Sequence, residues 1–169
     1  YARANKLDRI TVKSSSDRIG LISAGKSYTD MIQALEMIGF REYDLQQAGI
    51  RIYKMGMISP VEPLGLAEFA DGLEEVLVVE EKRGFMEVQI RESLYNRTVR
   101  PKIYGKYDEK GHPLVPIHNE MQVDQAARIL AGFLAPRLKR PDLLERVKWL
   151  EEIAERKYDP VMARTPYFC

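Results

Sequence analysis

The chain has 169 residues, of which 30% are charged and 45% hydrophobic, a balance that indicates one soluble globular domain. Its formal net charge is +1, so no global basic field indicates a nucleic-acid or membrane partner. No apolar run is long enough to span a bilayer, no signal peptide is visible, and the only cysteine, Cys169, cannot form a disulfide within the chain. We therefore expect a cytoplasmic protein. We also expect a segment of a longer one, because the chain starts at Tyr1 rather than Met.

The amino-terminal region predicts a linker followed by a strand and a helix. Residues 1–17 are polar and basic and indicate a linker, although a short edge strand over Ile10–Val12 is an alternative. Ile19–Ala24 is a short apolar run that ends at a glycine, and it predicts a buried strand. Ser27 then has the position of a helix N-cap, with Asp30 three residues later as a weak capping-box partner.

The middle of the chain repeats this rhythm of strand and helix. Ile50–Met57 predicts a second strand, and Leu64–Ala70 predicts a short helix after a proline-containing turn. Val76–Val79 is β-branched and continuous, and it is the clearest buried strand. A helix follows over Gly84–Tyr95, and Lys102–Gly105 predicts a fourth, shorter strand.

Two further helices complete the chain. Apolar stripes at helical spacing run over Val123–Leu134 and over Leu143–Ile153. Pro136 and Pro141 bracket the predicted joint between the two helices, and Pro160 ends the second. The alternation of strands and helices predicts an α/β fold of three layers, in which a mostly parallel open sheet of about five strands carries extra C-terminal helices.

The segment Gly20–Ser27 matches the phosphate-binding expression G-x-x-x-x-G-K-[ST], in which Lys26 contacts phosphate and Ser27 contacts magnesium. In such a loop the strand precedes the first glycine, whereas here the apolar Leu21 and Ile22 lie between the two glycines, as in a strand. We therefore interpret the segment as a strand, a glycine turn and a capped helix. A P-loop NTPase is kept only as a disfavoured alternative.

The same segment is a weak candidate for an anion site. A helix N-terminus at the carboxyl end of a strand attracts negative charge, and here it would present Gly25, Lys26 and Ser27. Binding of coenzyme A, or a regulatory role, is the alternative function that these residues allow.

A run of four charged residues follows the clearest buried strand, at the edge where open α/β sheets place their sites. These residues are Glu80, Glu81, Lys82 and Arg83. We favour contact with a neighbouring domain over catalysis for them, and a solvated turn with weak charge pairs is the alternative.

Three other patterns indicate no catalytic, metal or nucleic-acid site. His112 and His118 are the only histidines, and no cysteine or converging carboxylate pattern accompanies them. Ala70–Gly72 with Asn96 faintly resembles a thiamine diphosphate signature, but the first glycine is missing and the helix comes before it rather than after. The basic residues of the last helices alternate with acidic ones, which indicates a solvated face.

Five segments, taken in order, resemble one known family. They are Arg18–Asp30 (RIGLISAGKSYTD), Gly49–Met57 (GIRIYKMGM), Phe69–Arg83 (FADGLEEVLVVEEKR), Arg100–Asp108 (RPKIYGKYD) and Arg164–Cys169 (RTPYFC). Together they resemble the transketolase C-terminal-like domain of the large, fused indolepyruvate (2-oxoacid) ferredoxin oxidoreductases. By this resemblance, residues 18–135 are that α/β domain, and residues 136–169 are a C-terminal helix and a linker toward the next domain.

The resemblance implies a parent enzyme with thiamine diphosphate, Mg²⁺ and 4Fe–4S clusters, which oxidatively decarboxylates 2-oxoacids to acyl-coenzyme A and reduces ferredoxin. For this domain it implies a non-catalytic role in contacts with neighbouring domains, and no catalytic residue of the family maps onto this sequence. We therefore expect the isolated domain to fold and to lack oxidoreductase activity. Association of two copies is an alternative, because apolar surface left by missing neighbours favours dimers.

Overall fold

Five strands form one sheet in the order β1–β3–β2–β4–β5 in the computed structural model, which describes residues 1–98, 100–118 and 120–155. The strands are β1 (Arg9–Val12), β2 (Ile19–Ala24), β3 (Ile50–Met55), β4 (Glu75–Val79) and β5 (Lys102–Tyr104). Strands β2 to β5 run parallel to their neighbours, and β1 pairs antiparallel with β3 at one edge. The sheet is therefore mostly parallel, as the alternation of strands and helices predicts.

Helices cover both faces of this sheet. They are α1 (Gly25–Met37), α2 (Glu42–Gln47), α3 (Pro63–Ala70), α4 (Phe85–Leu94), α5 (Val123–Leu138) and α6 (Asp142–Glu155). The first two helices and the last two share one apolar core with the sheet, and α3 and α4 share a second core on the opposite face. The predicted three layers and the extra C-terminal helices are confirmed. Among the described residues, no helix has the length and apolar character needed to cross a membrane.

The central strands are buried on both faces because the two cores use alternate residues. In β2, Leu21 belongs to the core on the α1 side and Ile22 to the core on the α3 side. In β4, Leu77 and Val78 divide in the same way. Successive side chains of a strand point to opposite faces, so a sheet covered on both sides needs apolar residues at every position. This explains why these strands read as continuous apolar runs.

Part of the amino-terminal segment belongs to the sheet, so the prediction of a linker over residues 1–17 is wrong for Arg9–Val12. The alternative of an edge strand is confirmed, because these residues pair with β3 and supply partners for its outer backbone groups. Asp17, at the end of the segment, is buried, and its Oδ2 accepts a 2.9 Å hydrogen bond from Nε of Arg51. The guanidinium of Arg51 also donates to two backbone carbonyls at the end of α3. The amino-terminal segment is thus joined to β3 at two places, by strand pairing and by a buried ion pair.

Two predicted helix boundaries are wrong. Helix α1 begins at Gly25 rather than after Ser27, and its extended N-cap residue, Ala24, makes no side-chain capping bond. Gly25 has φ +54°, which glycine adopts at low cost, so the chain turns into the helix before Ser27 and no capping box with Asp30 forms.

At the other end of the chain, Pro136 lies inside α5 instead of ending it. The Arg137 guanidinium donates to the Phe133 carbonyl beside it, and α5 ends at Leu138, followed by the C-cap residue Lys139 with φ +54°. The joint between α5 and α6 therefore lies just before Pro141. Helix α2 has no counterpart among the predicted elements, and Pro160 lies outside the described residues.

Candidate functional site

Strands β2 and β4 are neighbours in the sheet, yet their chains continue into helices on opposite faces. The carboxyl ends of two such strands border the crevice in which open α/β sheets place ligands. The residues predicted to form an anion site, Gly25, Lys26 and Ser27, follow β2 at this crevice. The residues predicted to contact a neighbouring domain, 80–83, follow β4. The fold therefore brings together two candidate segments that are more than 50 residues apart in sequence.

The Lys26 ammonium group is surrounded by acceptors of the same chain. Its Nζ donates to Asp30 Oδ2 at 2.7 Å, to Glu81 Oε1 at 3.2 Å and to the Met121 carbonyl at 3.1 Å. The hydrogen bonds that Lys26 donates to Asp30 and to Glu81, in that order of effect, raise the pKa of Lys26 above its ordinary value. Three acceptors use the three donors of an ammonium group, so Lys26 serves here as a connection between α1, the end of β4 and the segment before α5.

Glu80 is buried and caps α4. Its Oε2 accepts from the backbone N–H groups of Phe85 at 3.0 Å and Met86 at 2.8 Å, and its Oε1 accepts from that of Glu87 at 2.9 Å. These N–H groups belong to the first turn of α4 and have no partner within the helix, and a carboxylate there is also favoured by the helix dipole. Glu80 therefore fills the place at which a helix N-terminus would otherwise attract an external anion.

Lys106 is a buried residue of the same edge that the sequence patterns did not single out. Its Nζ donates to the carbonyl of Glu80 and, at 3.1 Å, to that of Pro116, while its backbone N–H donates to Glu87 Oε2 at 2.8 Å. Burial lowers the pKa of Lys106, and the charges of Glu80 and Glu87 oppose that shift. Lys106 follows β5 at the carboxyl edge, just as Glu80 follows β4, so its position relative to a predicted strand is the sequence signal that could have identified it.

The four predicted contact residues thus separate into two pairs. Glu80 and Glu81 are directed into the chain, and Glu81 also accepts from the backbone N–H of Met121 at 3.3 Å. Lys82 and Arg83 are exposed, and neither forms an ion pair within residues 1–98, 100–118 and 120–155. Any contact with another molecule at this turn would therefore begin with these two cations.

The P-loop alternative for Gly20–Ser27 is contradicted by the structure. Gly20 lies inside β2 rather than in a loop, and a Cβ there would lie 2.7 Å from both Leu73 Cδ1 and Phe69 Cζ. The glycine allows the sheet and the α3 side to approach closely, which is a packing role. The interpretation as a strand followed by a helix is confirmed, and the anion site at Gly25, Lys26 and Ser27 stays a prediction that no contact in the structure favours.

The remaining sequence signals also find structural explanations. Asp71 and Gly72 lie between α3 and β4, so the thiamine-like signature has its helix before it, as the sequence predicts. The His112 ring Nδ1 lies 3.1 Å from Asp108 Oδ2, and His118 is exposed. In the part of the chain that the structure describes, no three side chains with metal-ligand chemistry lie together. Cys169 lies outside that part.

The arrangement at the carboxyl edge can hold elements together, because the exposed Lys26 and the buried Glu80 and Lys106 all have partners within the chain. Lys26 joins α1 to the segment after β4, and Lys106 joins that segment to the loop after β5. Charge-assisted hydrogen bonds of this kind are stronger than bonds between neutral groups and fix the relative positions of their elements.

Sequence comparisons relate the chain to one family. The profile of the indolepyruvate oxidoreductase domain family matches residues 9–157. The indolepyruvate oxidoreductase subunit IorA of Thermococcus kodakarensis is 33% identical over 153 residues, which are 90% of this chain and 21% of that protein. The IorA subunit of Methanothermobacter marburgensis is 28% identical over 151 residues, 86% of this chain and 22% of that protein. The chain therefore spans about a fifth of the length of these curated relatives.

Two solved structures are more distantly similar. A split-gene transketolase, described as an inactive β4 tetramer, is 13% identical, with a TM-score of 0.48 over 84% of this chain and 40% of that one. The 2-oxoglutarate:ferredoxin oxidoreductase from Magnetococcus marinus is 14% identical, with a TM-score of 0.41 over 83% of this chain and 19% of that one.

Proposed function

The chain belongs to the indolepyruvate oxidoreductase domain family, and from this membership we propose that it is a non-catalytic structural domain of a 2-oxoacid ferredoxin oxidoreductase. The proposed parent enzyme is cytoplasmic, and it oxidatively decarboxylates indolepyruvate or a related 2-oxoacid to an acyl-coenzyme A while reducing ferredoxin. This domain holds neighbouring domains in position.

The residues of this chain do not fit the cofactors of the proposed parent. Decarboxylation of a 2-oxoacid needs a carbanion sink, which thiamine diphosphate with Mg²⁺ supplies. The nearest thiamine-like motif ends α3, and the Asp71 carbonyl within it accepts a hydrogen bond from Arg51. A 4Fe–4S cluster needs four thiolate ligands, whereas this sequence has one cysteine. In our proposal both cofactors therefore belong to other domains.

The observation that carries the proposal is the internal pairing at the carboxyl edge. A catalytic group must be directed at the substrate, but the carboxylate of Glu80 caps α4 and the ammonium of Lys26 has three acceptors in the chain. Lys106, the third charged group of this edge with extensive contacts, donates to two carbonyl oxygens. These groups connect secondary-structure elements, which is what a structural domain requires.

The test compares this chain alone with the whole parent enzyme. Indolepyruvate-dependent reduction of ferredoxin is measured for both, with thiamine diphosphate, Mg²⁺ and coenzyme A supplied. We expect turnover by the whole enzyme and none above background by the isolated chain, whose folding is checked by circular dichroism. Turnover by the folded chain alone would show that the domain is catalytic and overturn the proposal.

A further inference from the structure

Several large apolar side chains are exposed on the helix layer formed by α3 and α4. They are Ile58, Leu64, Phe85, Val88 and Tyr95, and we refer to them as the α3–α4 patch. Val88 is 62% exposed and Tyr95 is 68% exposed, and the Arg100 guanidinium lies 5.6 Å from the centre of the Tyr95 ring. A group of exposed apolar side chains on one face marks an interaction surface more often than scattered single residues do.

The patch follows from the spacing of residues on α4. Phe85 and Val88, together with Tyr95 just after the helix, lie on one side of the helix axis, whereas Met86, Ile90 and Leu94 lie on the other side and pack into the core. The outer face of α4 therefore has apolar residues at each end, with the exposed Arg91 and Glu92 between Val88 and Tyr95, while the inner face is used by the core.

The turn after β3 and the start of α3 extend this surface beyond α4. The side-chain amide of Gln89 donates to the Ile58 carbonyl at 2.9 Å, which places that turn against α4. Leu64 lies in the first turn of α3, and α3 and α4 share one core beneath. The patch therefore has contributions from three segments on this face of the sheet: the turn after β3, α3 and α4.

A helix covers the opposite layer, whereas this layer is met at α3 by the amino-terminal segment, whose Arg3 pairs with Glu68 at 2.8 Å and Glu62 at 3.6 Å. Helix α6 lies over the α1–α5 layer, and its Leu143 and Val147 are buried there. Within the described residues, no element covers α3 and α4 in the same way. An apolar face on a helix at the surface gains stability when it is removed from water.

The cations Lys82 and Arg83 lie beside the patch, because they precede α4 directly. Both are exposed at the amino-terminal end of the helix, whose first-turn N–H groups are already bonded to the Glu80 carboxylate. A complementary surface would therefore be apolar opposite Phe85 and Val88 and would carry carboxylates opposite the two cations.

We propose that the α3–α4 patch, with Lys82 and Arg83 at its rim, is the surface on which another domain of the same longer polypeptide docks. This proposal rests on the proposed function as an interdomain structural element. A linked domain fits this surface because the chain aligns with only 21% of the length of its IorA relative, so most of such a polypeptide lies outside this domain. A linked domain has a high effective concentration at this surface, whereas a second copy has to associate from solution.

The test is site-specific photo-crosslinking in the whole parent polypeptide. Tyr95 is replaced by p-benzoylphenylalanine, and the matched control carries the same probe at Tyr43 of α2, a tyrosine that is also 68% exposed. After irradiation, mass spectrometry identifies the joined peptides. We expect the probe at position 95 to join peptides of the same polypeptide that lie outside these 169 residues, with a yield severalfold above that of the control.

Three results would overturn the docking surface. They are no cross-link from position 95, cross-links that join two copies of α4, and equal yields from positions 95 and 43. These results differ from a failure of the proposed function, which is decided by turnover of the isolated chain. A catalytic chain with cross-links in the expected place would overturn the structural role and leave the docking surface standing.

Discussion

The ammonium of Lys26 lies 3.2 Å from Oε1 of Glu81, so the two segments that the sequence marks as separate candidate sites are partners of each other. Asp30 provides a second carboxylate at 2.7 Å. A free phosphate at this point would compete with both carboxylates for one ammonium group. We therefore expect Lys26 to contribute little to anion binding.

Calorimetric titration measures that contribution directly. We expect millimolar coenzyme A to release no heat that depends on Lys26, so the isotherms of the parent chain and of Lys26→Met should coincide. Inorganic phosphate serves as the control for non-specific anion binding. A heat present in the parent chain and absent in Lys26→Met would restore the anion site at the start of α1.

Loss of the Glu80 carboxylate should destabilise the domain. Glu80→Ala leaves the first-turn N–H groups of α4 without their acceptor, and a buried donor left unsatisfied costs about 1–3 kcal/mol. Urea unfolding followed by circular dichroism measures the change in the free energy of unfolding. Glu80→Gln keeps one acceptor oxygen, so its free energy of unfolding should fall by less than that of Glu80→Ala. Equal decreases in the two variants would contradict the capping role.

Lys106 should make stability depend on pH in the alkaline range. Burial lowers its pKa in the folded chain below the ordinary value of 10.5, so the unfolded chain binds more protons between the two pKa values. The free energy of unfolding contributed by Lys106 therefore rises with pH between the lowered pKa and 10.5.

Lys106→Met should remove this rise in the free energy of unfolding. The difference between the pH profiles of the variant and the parent chain gives the contribution of Lys106 alone, because both chains contain the same tyrosines. Burial raises the pKa values of Tyr53 and Tyr104, so these residues make stability fall with pH above the ordinary tyrosine value of 10.0. Parallel pH profiles of the two chains would contradict a lowered pKa of Lys106.

Gly20 should tolerate no side chain. The Cβ of Gly20→Ala would meet Leu73 and Phe69 at 2.7 Å, and overpacking of a well-packed core costs about 1–3 kcal/mol. Gly132→Ala is the matched control, because its Cβ has nothing within 4 Å, and alanine inside a helix is favoured over glycine by about 1 kcal/mol. Thermal unfolding should therefore shift in opposite directions for the two variants. A neutral Gly20→Ala would contradict the packing role.

The buried pair of Asp17 and Arg51 should be the most sensitive contact of the amino-terminal segment. The Asp17 side chain is fully buried, and removing one member of a buried ion pair costs about 3–5 kcal/mol. Asp17→Ala should therefore lower the free energy of unfolding by about 3–5 kcal/mol. The control, Arg18→Ala, breaks an exposed pair with Glu74 at 3.8 Å and should cost at most about 1 kcal/mol. Similar losses in both variants would indicate that the segment is not held by the buried pair.

The fold class was predictable because it is recorded in local patterns. The apolar runs around Leu21 and Leu77 indicate strands buried on both faces, and the stripe of α5 indicates a helix on a core. Boundaries were less predictable. Helix α1 begins at a glycine with positive φ, and α5 continues through Pro136, because contacts elsewhere in the fold outweigh the local preferences of these residues.

The sequence alone determined the α/β class, the positions of the main strands, the family resemblance and the edge of the sheet at which charged residues collect. Only the tertiary structure decided what those charges do. Lys26 meets Glu81 because β2 and β4 are neighbours, and Lys106 meets the Glu80 carbonyl because β5 pairs with β4. Strand order is set by long-range packing, which the periodicity of a single segment does not record. A charged residue that looks like a site in sequence can therefore prove to be the partner of a distant one.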